Sequence, residues 1–273
     1  MIGLLLLACI RCGPADAPGI NPSEKYLLVA HSDDGVNWSR TSEVLVSGAS
    51  SPHLMLLNNT PTVFFVQDGK HLATVPLEGG PVTPIAMGDT VAVDPHVIDL
   101  DEGGFRMFFV EPPSLFDPGV ASENTIRTAL STDGVVWNVE PESRIVGPYV
   151  DPDVVALPDG QHRMYLTQGG RVLSAQSPDG QTFAIEAGLR QPIGGVTSVV
   201  EHPDGWWMFT THEGRIWKSS STNGLDFDAP QVVLSGIPDT IDGGGVESPS
   251  VLHHDGKWWM VYASWPAQML PPL

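Results

Sequence analysis

The feature that most constrains the fold of this chain is an internal repeat. In four of its five copies, a Ser or Asp followed by Pro leads, after a few residues and a turn, into an apolar, aromatic strand. The copies begin at residues 51, 94, 151, 196 and 248, and the fourth lacks the proline. Their starts are 43, 57, 45 and 52 residues apart. Because propeller blades repeat about every 40–50 residues, this period predicts a β-propeller.

A second repeated phrase, S-x-D/N-G-x-x-W/F, alternates with the first. It occupies residues 32–38, 131–137, 177–183 and 221–227. Asp-Gly and Asn-Gly favour the positive φ angles of tight hairpins, and the aromatic residue returns to the core on the next strand. The phrase resembles the Asp-box of sialidases but is one residue shorter between Asp and Trp. We therefore expect a structural role, with none of these aspartates catalytic.

Counting the strand pairs predicts how the ring closes. The first phrase supplies five inner pairs, and the intervening segments supply five outer pairs, near residues 26–46, 71–87, 124–146, 171–186 and 215–234. The chain begins with an outer pair and ends with an inner one, so residues 26–46 should complete the blade begun by residues 248–264. Such closure removes exposed sheet edges. We predict an all-β, five-bladed β-propeller over residues 25–273; a β-sandwich is the rival fold, but it needs no equal count.

The residues before the propeller resemble an export signal. Leu6-Leu7-Ala8-Cys9 is similar to a bacterial lipobox, in which the cysteine takes the lipid. Only eight residues precede Cys9 and none is basic, whereas a secretory signal normally has a basic start and about 15–30 residues. We expect residues 1–24 to be an export segment and tether, with Cys9 as the lipidation site if translation starts upstream. A frayed apolar terminus is the alternative.

Charge excludes one class of partner. The chain carries 32 acidic and 13 basic residues, for a formal net charge of −19. Such a surface repels phosphate backbones and anionic lipid, so we expect no nucleic-acid partner and no membrane contact except through an N-terminal lipid.

We also expect a monomer exported to the periplasm or the cell surface.

The starts of the inner strands carry the candidate catalytic groups. In a propeller these positions converge on one mouth of the central channel although they lie far apart in sequence. Asp94 and Asp151 stand just before the proline of their copies, and Glu247 stands one residue earlier in the fifth copy. Clustered carboxylates can divide the roles of proton donor and ionised base, which glycoside hydrolysis requires. Alternatively, Asp before Pro only fixes the loop.

These motifs resemble the five-bladed enzymes of glycoside hydrolase family 43 and its relatives. The resemblance covers residues 25–265 as a repeat pattern, although each motif is short. It implies that Asp94 is the general base and Glu247 the general acid, three blades apart. It also implies a second Asp two blades after the base, where this chain has Val196 and Thr197. Asp151 lies one blade after the base and would be a supporting carboxylate.

Other polar residues near these positions are candidates for substrate binding. His53, His96 and Asp153 lie just beyond the proline of their copies, and Arg106 and Arg163 share a position on the second strands. The histidines could hold a channel cation such as calcium or simply form hydrogen bonds. The arginines could pair with channel carboxylates or brace the blades. We expect no metal site and no cofactor, because zinc-type spacing and phosphate loops are absent from the sequence.

Three functions remain open at this stage. The first is an exported, inverting glycoside hydrolase acting on oligo- or polysaccharide. The second is a propeller that binds glycan without cleaving it. The third is a protein-interaction propeller with no role in carbohydrate chemistry. A channel mouth holding Asp94 and Glu247 with room for a sugar ring would favour the first two, and a channel filled by side chains would favour the third.

Overall fold

The computed structural model describes residues 24–113 and 123–267, and these residues form 21 β-strands. In chain order the strands are β1 (Tyr26–Ser32), β2 (Ser39–Ser47), β3 (Ala49–Leu57), β4 (Thr60–Gln67), β5 (His71–Pro76), β6 (Thr83–Pro84), β7 (Val93–Asp99), β8 (Phe105–Glu111), β9 (Asn124–Ser131), β10 (Asn138–Val139), β11 (Ile145–Gly147), β12 (Val150–Ala156), β13 (His162–Gln168), β14 (Arg171–Ser177), β15 (Ala184–Ile185), β16 (Gly195–His202), β17 (Gly205–His212), β18 (Arg215–Ser221), β19 (Gln231–Ser235), β20 (Gly245–His254) and β21 (Lys257–Trp265). Within these ranges we find no helix with the length and apolar character of a membrane span. Cys9 and the expected tether lie outside the described residues.

The strands form five antiparallel sheets, which confirms the predicted five-bladed propeller. Blade one has the order β3-β4-β5-β6. Blade two has the order β7-β8-β9-β10, with β11 also paired to β9. Blades three and four run β12-β13-β14-β15 and β16-β17-β18-β19. The fifth, which we name the closing blade, has the order β2-β1-β21-β20 and so joins both ends of the described chain.

Ring closure follows the predicted pairing. Strand β1 pairs with β21 in an unbroken antiparallel register from Tyr26 opposite Ser264 to Ser32 opposite Trp258. The outer strand β2 then pairs with β1. The N-terminal strands therefore cover what would be a bare edge of β21, which would otherwise be free to pair with another chain.

The core lies between neighbouring blades because alternate residues of a strand point to opposite faces of its sheet. Phe64 and Phe65 of β4 show this directly, since neither side chain is exposed to solvent. Phe65 packs in the cluster shared with the closing blade, beside Val261. Phe64 packs in the cluster shared with blade two, beside Met107. Each blade is thus held by apolar contacts on both faces.

The Asp-Gly and Asn-Gly phrases form the turns of the outer hairpins. In the first copy, the Ser32 hydroxyl accepts the Gly35 N–H at 2.9 Å, and Asp34 Oδ1 accepts the N–H groups of Val36 and Asn37 at 2.9 and 2.8 Å. These bonds lower the pKa of the exposed Asp34, with the Asn37 bond contributing most. Gly35 has φ +69°, and a Cβ there would lie 2.3 Å from the Trp207 ring of blade four. The turn therefore also fits against the neighbouring blade.

A ring of hydrogen bonds joins all five inner strands. In each blade, one inner-strand side chain contacts the backbone of the residue just after the equivalent position in the next blade, and the last blade contacts the first. We name this ring the hydrogen-bond belt. Its contacts are His53 Nε2 to Val97 O (2.9 Å), His96 Nε2 to the backbone of Val154 (2.9 Å to O and 3.1 Å to N), Asp153 Oδ2 from Val199 N–H (2.6 Å), Ser198 Oγ from Val251 N–H (3.0 Å) and Ser250 Oγ from Leu54 N–H (2.8 Å).

We predict that Ser250→Ala destabilises the protein by about 1–3 kcal/mol, because it leaves the buried N–H of Leu54 without its acceptor. Urea unfolding followed by tryptophan fluorescence measures the effect. Ser219→Ala is the matched control. Ser219 is equally buried, but its hydroxyl has no hydrogen-bond partner within the described part of the chain, so its loss should be nearly neutral. Equal losses in the two variants would argue against the belt.

Candidate functional site

The starts of the inner strands surround a cavity of about 80 Å³ at one end of the channel. All five blades contribute to its walls: β3, β7, β12, β16 and β20 each supply residues. Asp94 and Asp151 line it together, as the sequence predicts, and the belt residues lie among its lining. An engineered cavity of about 150 Å³ accommodates benzene, so the enclosed part here is smaller than a sugar ring. A sugar bound here would extend beyond the enclosed part.

The backbone is strained at the same position in every inner strand. Ser51, Asp94, Asp151, Val196 and Ser248 all have positive φ, between +48° and +53°. Each lies at a break in strand register, where an irregularity interrupts the pairing with the second strand. A β-branched residue such as Val196 rarely adopts this conformation, which costs of order 1–3 kcal/mol. The bulge thus belongs to the architecture of the ring, and it turns the side chain of the strained residue away from the regular ladder.

Asp94 and Asp151 form a hydrogen-bonded pair across the boundary between blades two and three. Both the side chain and the backbone N–H of Asp151 bond to the Asp94 carboxyl, and the Ser51 hydroxyl donates to Asp94 Oδ1 at 2.8 Å. Burial raises the pKa of Asp94, while the bonds from Ser51 and Asp151 and the charge of Lys25 oppose that rise. The carboxyl of Asp94 therefore holds a proton to higher pH than an ordinary aspartate does.

His96 and Asp153 form a second buried pair in the floor of the cavity. His96 Nδ1 lies 3.2 Å from Asp153 Oδ1. Burial raises the pKa of Asp153 to about 8 and lowers that of His96 well below its ordinary value. Both groups are therefore neutral near pH 7. A proton on Asp153 Oδ1 can bond to His96 Nδ1, while the His96 Nε2–H donates to Val154 O.

His53 extends this polar floor toward blade one. Its ring centroid lies 4.1 Å from that of His96, and burial lowers its pKa to about 4. The three candidates His53, His96 and Asp153 are thus brought together, and each already bonds to backbone in the belt. Across the described ranges, no group of three or more His, Cys, Asp or Glu residues is arranged to hold a metal ion.

Glu247 lies beside the cavity but does not line it. Its carboxylate forms an ion pair with the ammonium of Lys25, the residue just before β1, and the two side chains are 23% and 18% exposed. Lys25 was missed by the sequence reasoning. It lies 222 residues away from Glu247 in sequence, and no motif surrounds it.

Arg106 and Arg163 are not lining residues of the cavity. Arg106 Nε lies 3.4 Å from Glu140 Oε2, and Arg163 Nε donates to Glu186 Oε2 at 2.8 Å. Both partners follow the short outer strands of the same blade. The structure thus places the two arginines in equivalent ion pairs within blades two and three, where they tie the second strand to the outer edge.

The fourth inner strand departs from the pattern that the family resemblance implies. The position equivalent to Asp94 and Asp151 is Val196, and Thr197 replaces the proline. Val196 bonds through its backbone N–H to the Thr167 hydroxyl at 2.8 Å, so the local geometry survives without a carboxylate. The carboxylates of the site are therefore confined to blades two, three and the closing blade.

Comparison with solved structures establishes the fold. The chain superposes on a GH43_1 enzyme from Xanthomonas citri with TM-score 0.59 and 13% identity, covering 78% of this chain and 81% of that one. It superposes on CoXyl43, a GH43 β-xylosidase/α-arabinofuranosidase from a compost microbial metagenome in complex with xylotriose, with TM-score 0.58 and 13% identity over 78% and 84% of the chains. For RS223-β-xylosidase the values are 0.57 and 13%, over 80% and 91%.

The likeness to these enzymes is one of architecture. The chain has the five-bladed fold found in glycosidase-like propellers, as the sequence resemblance predicts. No model of a known protein family matches the sequence. No curated protein matches it either.

We predict that Asp153→Asn makes stability less sensitive to pH. In the folded protein the pKa of Asp153 is about 8, against 3.8 for an unperturbed aspartate, so the folded state holds a proton that the unfolded state has lost. The stabilising contribution of Asp153 therefore falls as pH rises from 4 to 8. An Asn amide reproduces the protonated form and cannot lose it. Urea unfolding at pH 5 and at pH 8 measures the free energy of unfolding of both proteins. From pH 5 to pH 8 the free energy of unfolding of the variant, relative to that of the natural protein, should increase by at least about 1 kcal/mol.

The contributions of His53 and His96 to stability change with pH in the opposite direction to that of Asp153. Their lowered pKa values mean that stability is lost as pH falls below about 6.5, where the unfolded histidines bind protons. Both histidines are present in the natural protein and in Asp153→Asn, so the difference between their curves of stability against pH reports on Asp153. A difference that stays constant from pH 5 to pH 8 would show that Asp153 is ionised in the fold.

Proposed function

We propose that this protein is an exported glycan-processing propeller. Its proposed reaction is glycoside hydrolysis at the end of the channel where the inner strands begin. One observation supports this most directly. The half-buried Asp94–Asp151 pair lines the cavity, and the charge of Lys25, the ion-pair partner of Glu247, acts on Asp94 as well. Carboxyl groups in contrasting environments are what glycoside hydrolysis requires. The named activities of the structural neighbours, β-xylosidase and α-arabinofuranosidase, suggest pentose-containing glycans as first substrates to test.

The proposed roles are those that the family resemblance implies for the three carboxyls. Asp94 is the general base; burial makes it a stronger base than an exposed aspartate, and Ser51 and Asp151 fix its orientation. Glu247 is the general acid, and Asp151 supports Asp94. An inverting reaction needs the acid and base about 6.5–9.5 Å apart so that water fits beside the sugar. Glu247 would have to leave Lys25 and take up a proton from solvent before it could donate that proton to the glycosidic oxygen.

A second candidate, a propeller that binds glycan without cleaving it, has its own support. The Asp94 carboxyl is already bonded to Ser51 and Asp151, Glu247 is paired with Lys25, and Val196 stands where the family resemblance implies a carboxylate. In that case the same mouth would bind sugar through Asp94 and Asp151 with no proton transfer.

We expect the full chain to hydrolyse an aryl β-xyloside or α-arabinofuranoside, or to release sugar from arabinoxylan. Asp94→Asn and Glu247→Gln should each lower kcat by about 10²–10⁴-fold, because each removes one proton-transfer group. The measurement is release of the aryl group at fixed pH, with binding of xylotriose followed by calorimetry.

Asp99→Asn is the matched control, since Asp99 is an exposed carboxylate at the opposite end of the same strand as Asp94. It should keep full activity. Near-normal turnover in Asp94→Asn or Glu247→Gln would reject the assigned roles. Binding of xylotriose that is lost in Asp94→Asn, with no cleavage of any substrate, would establish the second candidate instead.

We further propose that the natural form is a monomer anchored to a membrane by lipid on Cys9, at the periplasmic face or the cell surface. The support is the Leu6-Leu7-Ala8-Cys9 sequence followed by a Pro- and Gly-containing stretch. Radiolabelled palmitate should enter the protein expressed from its natural gene in a bacterial host. Equal labelling of a Cys9→Ser variant would exclude Cys9 as the attachment site.

A further inference from the structure

Lys25 is held at the junction where the ring closes. Its backbone carbonyl accepts N–H groups from Gly48 and Ala49, at 2.8 and 3.4 Å, just where the chain leaves β2 for the first inner strand. The next residue, Tyr26, begins the strand that pairs with β21. The backbone of Lys25 is therefore fixed by both the closing blade and blade one.

From this fixed point the side chain crosses toward the channel. Lys25 precedes β1, and Glu247 lies on β20, with β21 between the two strands in the sheet. The Lys25 ammonium nevertheless forms the ion pair with Glu247. Its positive charge also acts on Asp94 of blade two and lowers the pKa of that carboxyl. One cation thus acts on carboxyls from two blades that are not adjacent in the ring.

The other groups acting on Asp94 are neutral or acidic. They are the Ser51 hydroxyl of β3 and the Asp151 carboxyl and backbone of β12. The histidines of the belt, His53 on β3 and His96 on β7, have lowered pKa values and are uncharged near pH 7. Among the described groups that act on Asp94, Lys25 is the positively charged one.

We propose that Lys25 is a positioning residue of the channel site: its ammonium holds the Glu247 carboxylate beside the cavity and balances the charge of the half-buried Asp94–Asp151 pair. The strand that closes the ring thereby also completes the site. The inference rests on the proposed function only in assuming that Lys25, Glu247 and the Asp94–Asp151 pair form a functional site. The charge coupling itself exists with or without a substrate and can be measured without one.

The test compares Lys25→Met, which removes the charge, with Lys25→Arg, which retains it, and with Glu247→Gln. Carbon-13 NMR of side-chain carboxyls in the full chain gives the titration midpoint of Asp94, whose resonance is identified by its absence in Asp94→Asn. Lys25→Met should raise the midpoint, on the order of one pH unit, because a favourable charge is lost. Lys25→Arg should leave it close to the natural value. Glu247→Gln should lower it, because Lys25 then lacks its counter-charge.

Opposite shifts in Lys25→Met and Glu247→Gln support the proposal, since a brace that only stabilised the fold would not produce them. An unchanged Asp94 midpoint in Lys25→Met overturns it. If Lys25→Met does not fold, Lys25→Gln replaces it: a raised midpoint supports the proposal and an unchanged one overturns it. These outcomes differ from a failure of the proposed function, in which the midpoints shift as expected but no glycan is bound or cleaved.

Discussion

The belt of side-chain to backbone hydrogen bonds is the constraint on which the rest of the structure depends. Five blades have few covalent links to one another, and apolar packing alone would let them slide along their faces. The belt fixes their register because each inner strand offers one polar side chain to the backbone of the next. Since these groups are largely removed from water, an unmatched partner costs far more than a matched pair gains. Only one relative placement of the blades satisfies every member of the ring.

This register also explains how the site is built. The belt residues stand two positions after the strained residues at the strand starts, so fixing the belt fixes where Ser51, Asp94 and Asp151 point. The strain is tolerated because it recurs in every blade and is held by partners such as the Thr167 hydroxyl. The register that the belt sets therefore brings the carboxyls of Asp94 and Asp151 into contact across a blade boundary. Such a contact is unfavourable unless a proton neutralises one carboxyl or a nearby cation offsets their negative charge.

The site is consequently less charged than its composition suggests. Asp153 and His96 form a neutral pair, Asp94 has a raised pKa, and Glu247 is matched by Lys25. In a chain with net charge −19, burial or an ammonium partner thus offsets the charge of these acidic groups at the channel. In the proposed reaction, Glu247 would have to leave its ammonium partner before it could act as an acid.

The sequence by itself determined the repeat, the number of blades, the closure of the ring and the positions that converge on the channel. These properties depend on local patterns, namely turn glycines, apolar strands and their spacing, which each blade carries within its own segment. Only the tertiary structure decided that Asp94 bonds to Asp151, that His53, His96 and Asp153 belong to a belt, and that Lys25 reaches Glu247. Those contacts join residues from different blades, and their strength comes from burial. A periodic pattern shows which positions are equivalent around the ring, but the distance between side chains and their removal from water are set only when the ring has closed.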